Sequence, residues 1–177
     1  MRYTHQQSAR RGFTLVETGF AIIIVATGML AMVAAHEAFI QQNDWGNRAA
    51  QAARLGGELR ERSMSLPPFD PVTGNTNWGV ESGELLVTDW DDMDDYDGLT
   101  ASGWAGTGPL DASGSVIPGM QNWAQTVSVT SVDETDWSST VSNGSSDALR
   151  VSVDITWHNS ASDPGEVVTT VTWVHIR

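Results

Sequence analysis

Carboxylates are the residues of this chain best placed to do chemistry. Asp89-Trp90-Asp91-Asp92-Met93-Asp94-Asp95-Tyr96-Asp97-Gly98 puts six aspartates into ten residues. A hard cation such as Ca²⁺ takes about six to eight oxygen ligands, which makes Asp89, Asp91, Asp92, Asp94, Asp95 and Asp97 the candidate metal ligands. The spacing is not that of an EF-hand, because setting Gly98 as the sixth position leaves Met93 first and Trp104 twelfth. The competing reading is a solvated acidic loop whose aspartates cap turns. A second, isolated carboxylate is Glu17, followed by Thr18–Ala35 without a single charge. A carboxylate inside an apolar helix costs roughly 2.5–3.5 kcal/mol on insertion scales, so Glu17 calls for a partner. As a helix-start acid it would instead answer the macrodipole.

Other chemistries find little support. With no Cys there is no thiol nucleophile, disulfide or Cys-ligated zinc. His36, His158 and His175 are too scattered to read as one metal site, and no Ser-His-Asp arrangement or phosphate-cradling glycine loop stands in a supporting context. An enzyme is not expected, and calcium at the acidic run is the only cofactor suggested. The eight tryptophans are many for this length. Trp157 and Trp173 fall on apolar strand positions and read as core, whereas Trp78, Trp104, Trp123 and Trp137 suit packing or sugar stacking equally well.

The elements that must position these groups follow from charge and periodicity. The chain has 177 residues, 22 Asp+Glu, and nine basic residues that are all Arg, for a net charge of −13. That balance excludes nucleic-acid binding, which needs clustered Lys and Arg. Arg2, Arg10 and Arg11 precede the first apolar run, while only Arg150 and Arg177 lie beyond Ser63. The eighteen uncharged residues would span about 27 Å as a helix, close to a bilayer core. Arginines before them place the N-terminus in the cytoplasm and the acidic bulk outside it. An ordinary secretory signal is the alternative, with Val33-Ala34-Ala35 as its cleavage site before His36.

Arg11-Gly12-Phe13-Thr14-Leu15-Val16-Glu17 resembles the class III signal of type IV prepilins. The resemblance implies that a membrane-embedded prepilin peptidase cuts between Gly12 and Phe13 and N-methylates Phe13. It also implies that Glu17 neutralises the terminal amine of a neighbouring subunit during assembly. Cleavage would remove three arginines and leave about −16 on the mature chain, counting side chains only. The Asp-rich run and the Gly28-Met29-Leu30-Ala31 stretch resemble minor, PilV-like pilins.

Beyond Ala35, Trp45, Ala49, Ala52, Leu55 or Gly56, and Leu59 recur at helical spacing. Leu66-Pro67-Pro68 stops the helix, which is therefore expected from about Phe13 to about Ser65. Gly28, Gly46, Gly56 and Gly57 mark bends or close helix approach. Glu84–Thr88 reads as a short strand in an otherwise loop-rich segment. Leu149, Val151, Val153, Ile155 and Trp157 alternate with polar residues, the firmest strand in the chain. Gln125–Val132 and Val167–Ile176 supply its neighbours, with Asn159–Glu166 as the turn.

The expected fold is α+β and type IV pilin-like: one long N-terminal helix against a C-terminal antiparallel sheet. Its parts are a leader (1–12), the membrane and assembly half of the helix (13–35), its packed half (36–66), an acidic variable region (67–121) and the sheet (122–177). The expected function is a minor subunit of a type IV pilus, acting in pilus assembly or adhesion. Its partners would be prepilin peptidase, other pilin subunits and the inner membrane, before extracellular assembly. A pseudopilin of type II secretion, in a periplasmic pseudopilus, is the nearest alternative. An exported calcium- or sugar-binding module with a conventional signal is the alternative of a different class.

Overall fold

The computed structural model describes residues 13–176. The order of elements is helix α1 (Leu15–Ser63), a 3₁₀ turn η1 (Asp94–Tyr96), and strands β1 (Thr100–Ser102), β2 (Trp123–Ser131), β3 (Ala148–Trp157) and β4 (Glu166–Ile176). This is the expected α+β architecture, with α1 packed against a four-stranded antiparallel sheet. The chain divides into two compact units, up to Trp45 and from Gly46 onward.

In the first unit every described side chain is exposed. Its run of Phe, Ile, Val, Leu and Met has nothing to pack against, and the β-branched Ile22-Ile23-Ile24-Val25 run stays helical despite its lower propensity. Among the described residues α1 is the one helix long and apolar enough to cross a membrane, a test that a signal sequence also meets. Trp45, placed by its spacing on the packing stripe, is 64% exposed. The stripe begins a turn later.

In the second unit the buried positions of α1 are Ala52, Leu55, Gly56, Leu59 and Ser63, spaced by three, one, three and four residues. The helix ends where Pro67 and Pro68 remove two donors and disfavour helical backbone before them. The strands lie in chain order, β1-β2-β3-β4, each antiparallel to the next. Leu149, Val151, Val153 and Ile155 are fully buried on one face of β3. They pair in register with the same face of both neighbours, as in Val127↔Val153 and Val153↔Val171. Burying each such side chain contributes about 1.5–3 kcal/mol.

Polar groups inside this core must be satisfied by the protein itself. Gln125, on β2, is fully buried. Its Oε1 accepts the Leu110 N–H at 2.6 Å, and its Nε2 donates to the carbonyls of Leu55 (2.9 Å) and Leu110 (3.2 Å). One amide thus fastens helix, loop and sheet together. Replacing it by Leu keeps the volume but strands the buried Leu110 N–H, so Gln125→Leu should lower unfolding free energy by about 2 kcal/mol. Urea denaturation of the purified variant measures this, and a midpoint equal to wild type would remove the claim.

Two local expectations are corrected. Glu84–Thr88 forms no strand: the Asp89 carboxylate accepts the Leu86 N–H at 3.2 Å and the Asp89 N–H closes a turn on the Leu86 carbonyl at 2.8 Å. Leu85 and Leu86 are left exposed. The strand at Thr100–Ser102 was not anticipated, because three residues carry no readable period and its pairing to β2 supplies the order. Gly28, Gly46, Gly56 and Gly57 all lie within unbroken helix. Gly56 serves close approach, since a Cβ there would meet the Val171 side chain.

Candidate functional site

The head of α1 is built by Thr14. Its N–H and Oγ1 donate to Glu17 Oε2 at 2.9 and 3.0 Å, and its Oγ1 accepts the Glu17 N–H at 3.3 Å. This reciprocal arrangement is a capping box, with Thr14 at N-cap and Glu17 three residues on. Glu17 therefore has a local hydrogen-bonding role in the single chain and no cation beside it among the described residues. Phe13 is exposed. Gly12, the other expected processing residue, lies outside the described residues.

The acidic run is held in place from several sides. The Met93 N–H donates to the Pro67 carbonyl at 2.9 Å, tying the run to the end of α1. Arg62, in the last turn of that helix, reaches Tyr96 Oη with Nε (3.1 Å) and the Trp90 carbonyl with Nη2 (3.2 Å). Trp90 and Tyr96 meet edge to face at 5.0 Å, and Tyr96 is 1% exposed. The two aromatics fasten the loop to the body.

The six aspartates separate into distinct roles. Asp89 caps its turn, as described above. Asp97 is a staple, its Oδ1 accepting the Val129 N–H (2.9 Å) and its Oδ2 the Trp78 Nε1–H (3.0 Å). Asp94 Oδ2 accepts the Gly79 N–H at 3.0 Å. Asp92 Oδ1 accepts the Asp95 N–H at 3.2 Å. Asp92, Asp94 and Asp95 are each buried. Asp91, Asp92 and Asp95 come together, with one oxygen of each within 4.8 Å of the others.

Sequence reasoning missed two members. Glu81 and Glu84 form a second triad with Asp95, again within 4.8 Å. They lie fourteen and eleven residues before Asp95, on the far side of an intervening turn and outside the Asp-rich run itself. The only readable trace is the Glu81-Ser82-Gly83-Glu84 spacing, with Gly83 at a left-handed φ of +123°. That turn lets Glu84 Oε2 accept the Glu81 N–H at 2.9 Å.

The electrostatics of the cluster are one-sided. Burial, a hydrogen bond with Asp94 and that neighbour's charge push Asp92 up to about 9. Asp94 is also raised, chiefly by burial. Burial followed by the charges of Glu84, Glu81 and Asp94 lifts Asp95 to about 7. Glu81 and Asp91 are raised too, in each case by burial first and then by Glu84. Among the described residues the one ion pair is Arg54–Glu58, at 3.4 Å on α1, so no carboxylate of the cluster has a salt bridge. The two triads have Asp95 in common, and each is an all-oxygen set suited to a hard cation.

The remaining candidates stay apart. His175 pairs with Leu149 while Trp157, next to His158, pairs with Glu166 at the other end of the β3–β4 ladder. His158 Nδ1 lies 2.9 Å from the Asp163 carbonyl in the connecting turn. Trp123 is buried against Trp157 (5.0 Å, edge to face), and the Arg48 guanidinium sits 4.4 Å over the Trp157 ring. Trp104 and Trp137 are exposed.

No protein-family model matches the chain, and no curated protein or solved structure shows significant similarity to it.

Proposed function

We propose that the chain is a minor, PilV-like subunit of a type IV pilus. In this reading prepilin peptidase cuts between Gly12 and Phe13, the apolar part of α1 holds the subunit in the inner membrane, and the same segment carries it into the filament. The supporting observation is an apolar helical segment, exposed throughout, whose single charge is Glu17. Such a surface needs either lipid or the matching segments of other subunits, and a carboxylate within it favours a partner that brings a positive charge. A new amine at Phe13 of a neighbouring subunit is that partner. The body contributes a separately packed, acidic domain outside the membrane, and its role is structural or adhesive. A pseudopilus of type II secretion would use the same chemistry.

The test is the mature N-terminus, read by mass spectrometry in a host that carries a prepilin peptidase. A chain beginning at N-methylated Phe13 is expected. A chain beginning at His36 would overturn the reading in favour of a conventionally secreted module. Deleting the genes of a pilus or of a secretion machine in turn, and asking which deletion abolishes incorporation, separates the two filaments.

A further inference from the structure

We propose that Glu81, Glu84 and Asp95 form a calcium site, with the buried Asp95 as its central ligand and Glu81 and Glu84 closing it from the preceding turn. Asp95 is 1% exposed, yet neither of its carboxylate oxygens has a hydrogen-bond partner. Glu81 Oε2 beside it and Asp94 Oδ1 are likewise shut away without one. Folded proteins leave few such groups, and a buried carboxylate with nothing to accept from calls for a ligand that supplies positive charge.

The geometry suits an ion. Oxygens that share a Ca²⁺ at about 2.3–2.6 Å lie no more than about 5 Å apart. Those of Glu81, Glu84 and Asp95 meet that limit. Among the described residues no arginine makes a salt bridge to these carboxylates: Arg62 is used by Tyr96 and the Trp90 carbonyl, and the one ion pair is Arg54–Glu58. The donor set contains no imidazole or thiolate, which argues against zinc and other borderline metals. Magnesium demands a near-ideal octahedron and keeps its waters, whereas calcium accepts an irregular cage of carboxylates with one or two bidentate. The rival occupant is the proton, one shared among neighbouring carboxylates, and it would leave the cluster indifferent to calcium. The proposal stands or falls separately from the filament reading, which is decided at Phe13.

The test uses the full chain in non-ionic detergent at about neutral pH and roughly 0.15 M NaCl, stripped with EDTA and titrated with CaCl₂ by calorimetry. The expected result is one ion per chain with a dissociation constant of about 10⁻⁵–10⁻³ M, in the range of extracellular calcium modules and weak sensors. Saturating calcium should raise the melting temperature by about 5 °C or more, and the same concentration of MgCl₂ by less than half as much. Asp95→Asn keeps the shape while removing the buried charge, and should melt cooperatively but bind calcium at least tenfold more weakly. Glu81→Gln, at a less deeply buried position, provides the same reading if Asp95→Asn fails to fold. Asp89→Asn, at the turn cap, should bind as wild type does. No heat and no thermal shift with calcium, an equal shift with magnesium, or unchanged affinity in the Asp95 or Glu81 variant would each overturn the proposal.

Discussion

Glu17→Leu is expected to lower incorporation into the filament at least tenfold while leaving the body folded. In the proposed assembly Glu17 meets the terminal amine of a neighbour in an apolar setting. Removing one partner of a buried ion pair leaves the other uncompensated, at about 3–5 kcal/mol, and each 1.4 kcal/mol is about a factor of ten. The carboxylate also has a local role, since it completes the capping box with Thr14. Losing such a box costs about 0.5–2 kcal/mol of helix stability. The two roles separate with Thr14→Ala, which weakens the cap and leaves the charge in place. Immunoblots of sheared filaments against the membrane pool give the ratio. If Glu17→Leu assembles normally, or Thr14→Ala fails equally, the charge-pairing role is wrong.

Gly56→Val should destabilise the body by about 3 kcal/mol, a large share of the roughly 5–15 kcal/mol that holds a typical domain together. The backbone of α1 lies so close to β4 at this point that a Cβ would collide with the Val171 Cγ2 and lie 3.1 Å from its Cβ, with Ile155 Cγ1 at 3.8 Å. Valine on a strand has little rotamer freedom with which to step aside. Gly57, the next residue, faces open space. There Gly57→Ala should stabilise by about 0.5–1 kcal/mol through helix propensity alone. Adjacent glycines with opposite responses make a sharp test in denaturant. Val171→Ala should relieve much of the cost of Gly56→Ala, giving a coupling of at least about 0.5 kcal/mol in a double-mutant cycle. Additive effects would mean that the two groups do not meet.

The legible parts of the fold are those set by long periodic patterns. Five alternations marked β3 within one residue of its start, a pattern dictated by one buried face. The end of α1 was legible because proline acts through its own missing donor and needs no tertiary partner. Trp45 was misplaced because helical spacing says which residues share a face, not how far along the helix a partner extends. Glu84–Thr88 has strand composition, but the Asp89 side chain satisfies the local backbone and makes a turn. At the acidic run, sequence displayed the concentration of charge but not its division of labour. Asp97 is committed to Val129 and Trp78, residues remote in sequence, and Asp95 collects Glu81 and Glu84 across a turn. Such assignments are made by long-range packing, which no local window contains.

The order of the strands also bears on how the body assembles and how long it endures. Neighbours in the sheet are neighbours in the chain, so β2, β3 and β4 can zip together by closing only the connections 132–147 and 158–165. Docking α1 is different, since Gln125 bonds a helix carbonyl seventy residues away. Loop-closure entropy grows slowly with length but must be met before any contact rewards it, so the local meander is expected to precede the helix interface in folding. Contacts formed late are broken early and chiefly set the unfolding rate. The seam between Gly56 and Val171 is thus expected to govern the lifetime of the folded body more than its speed of formation.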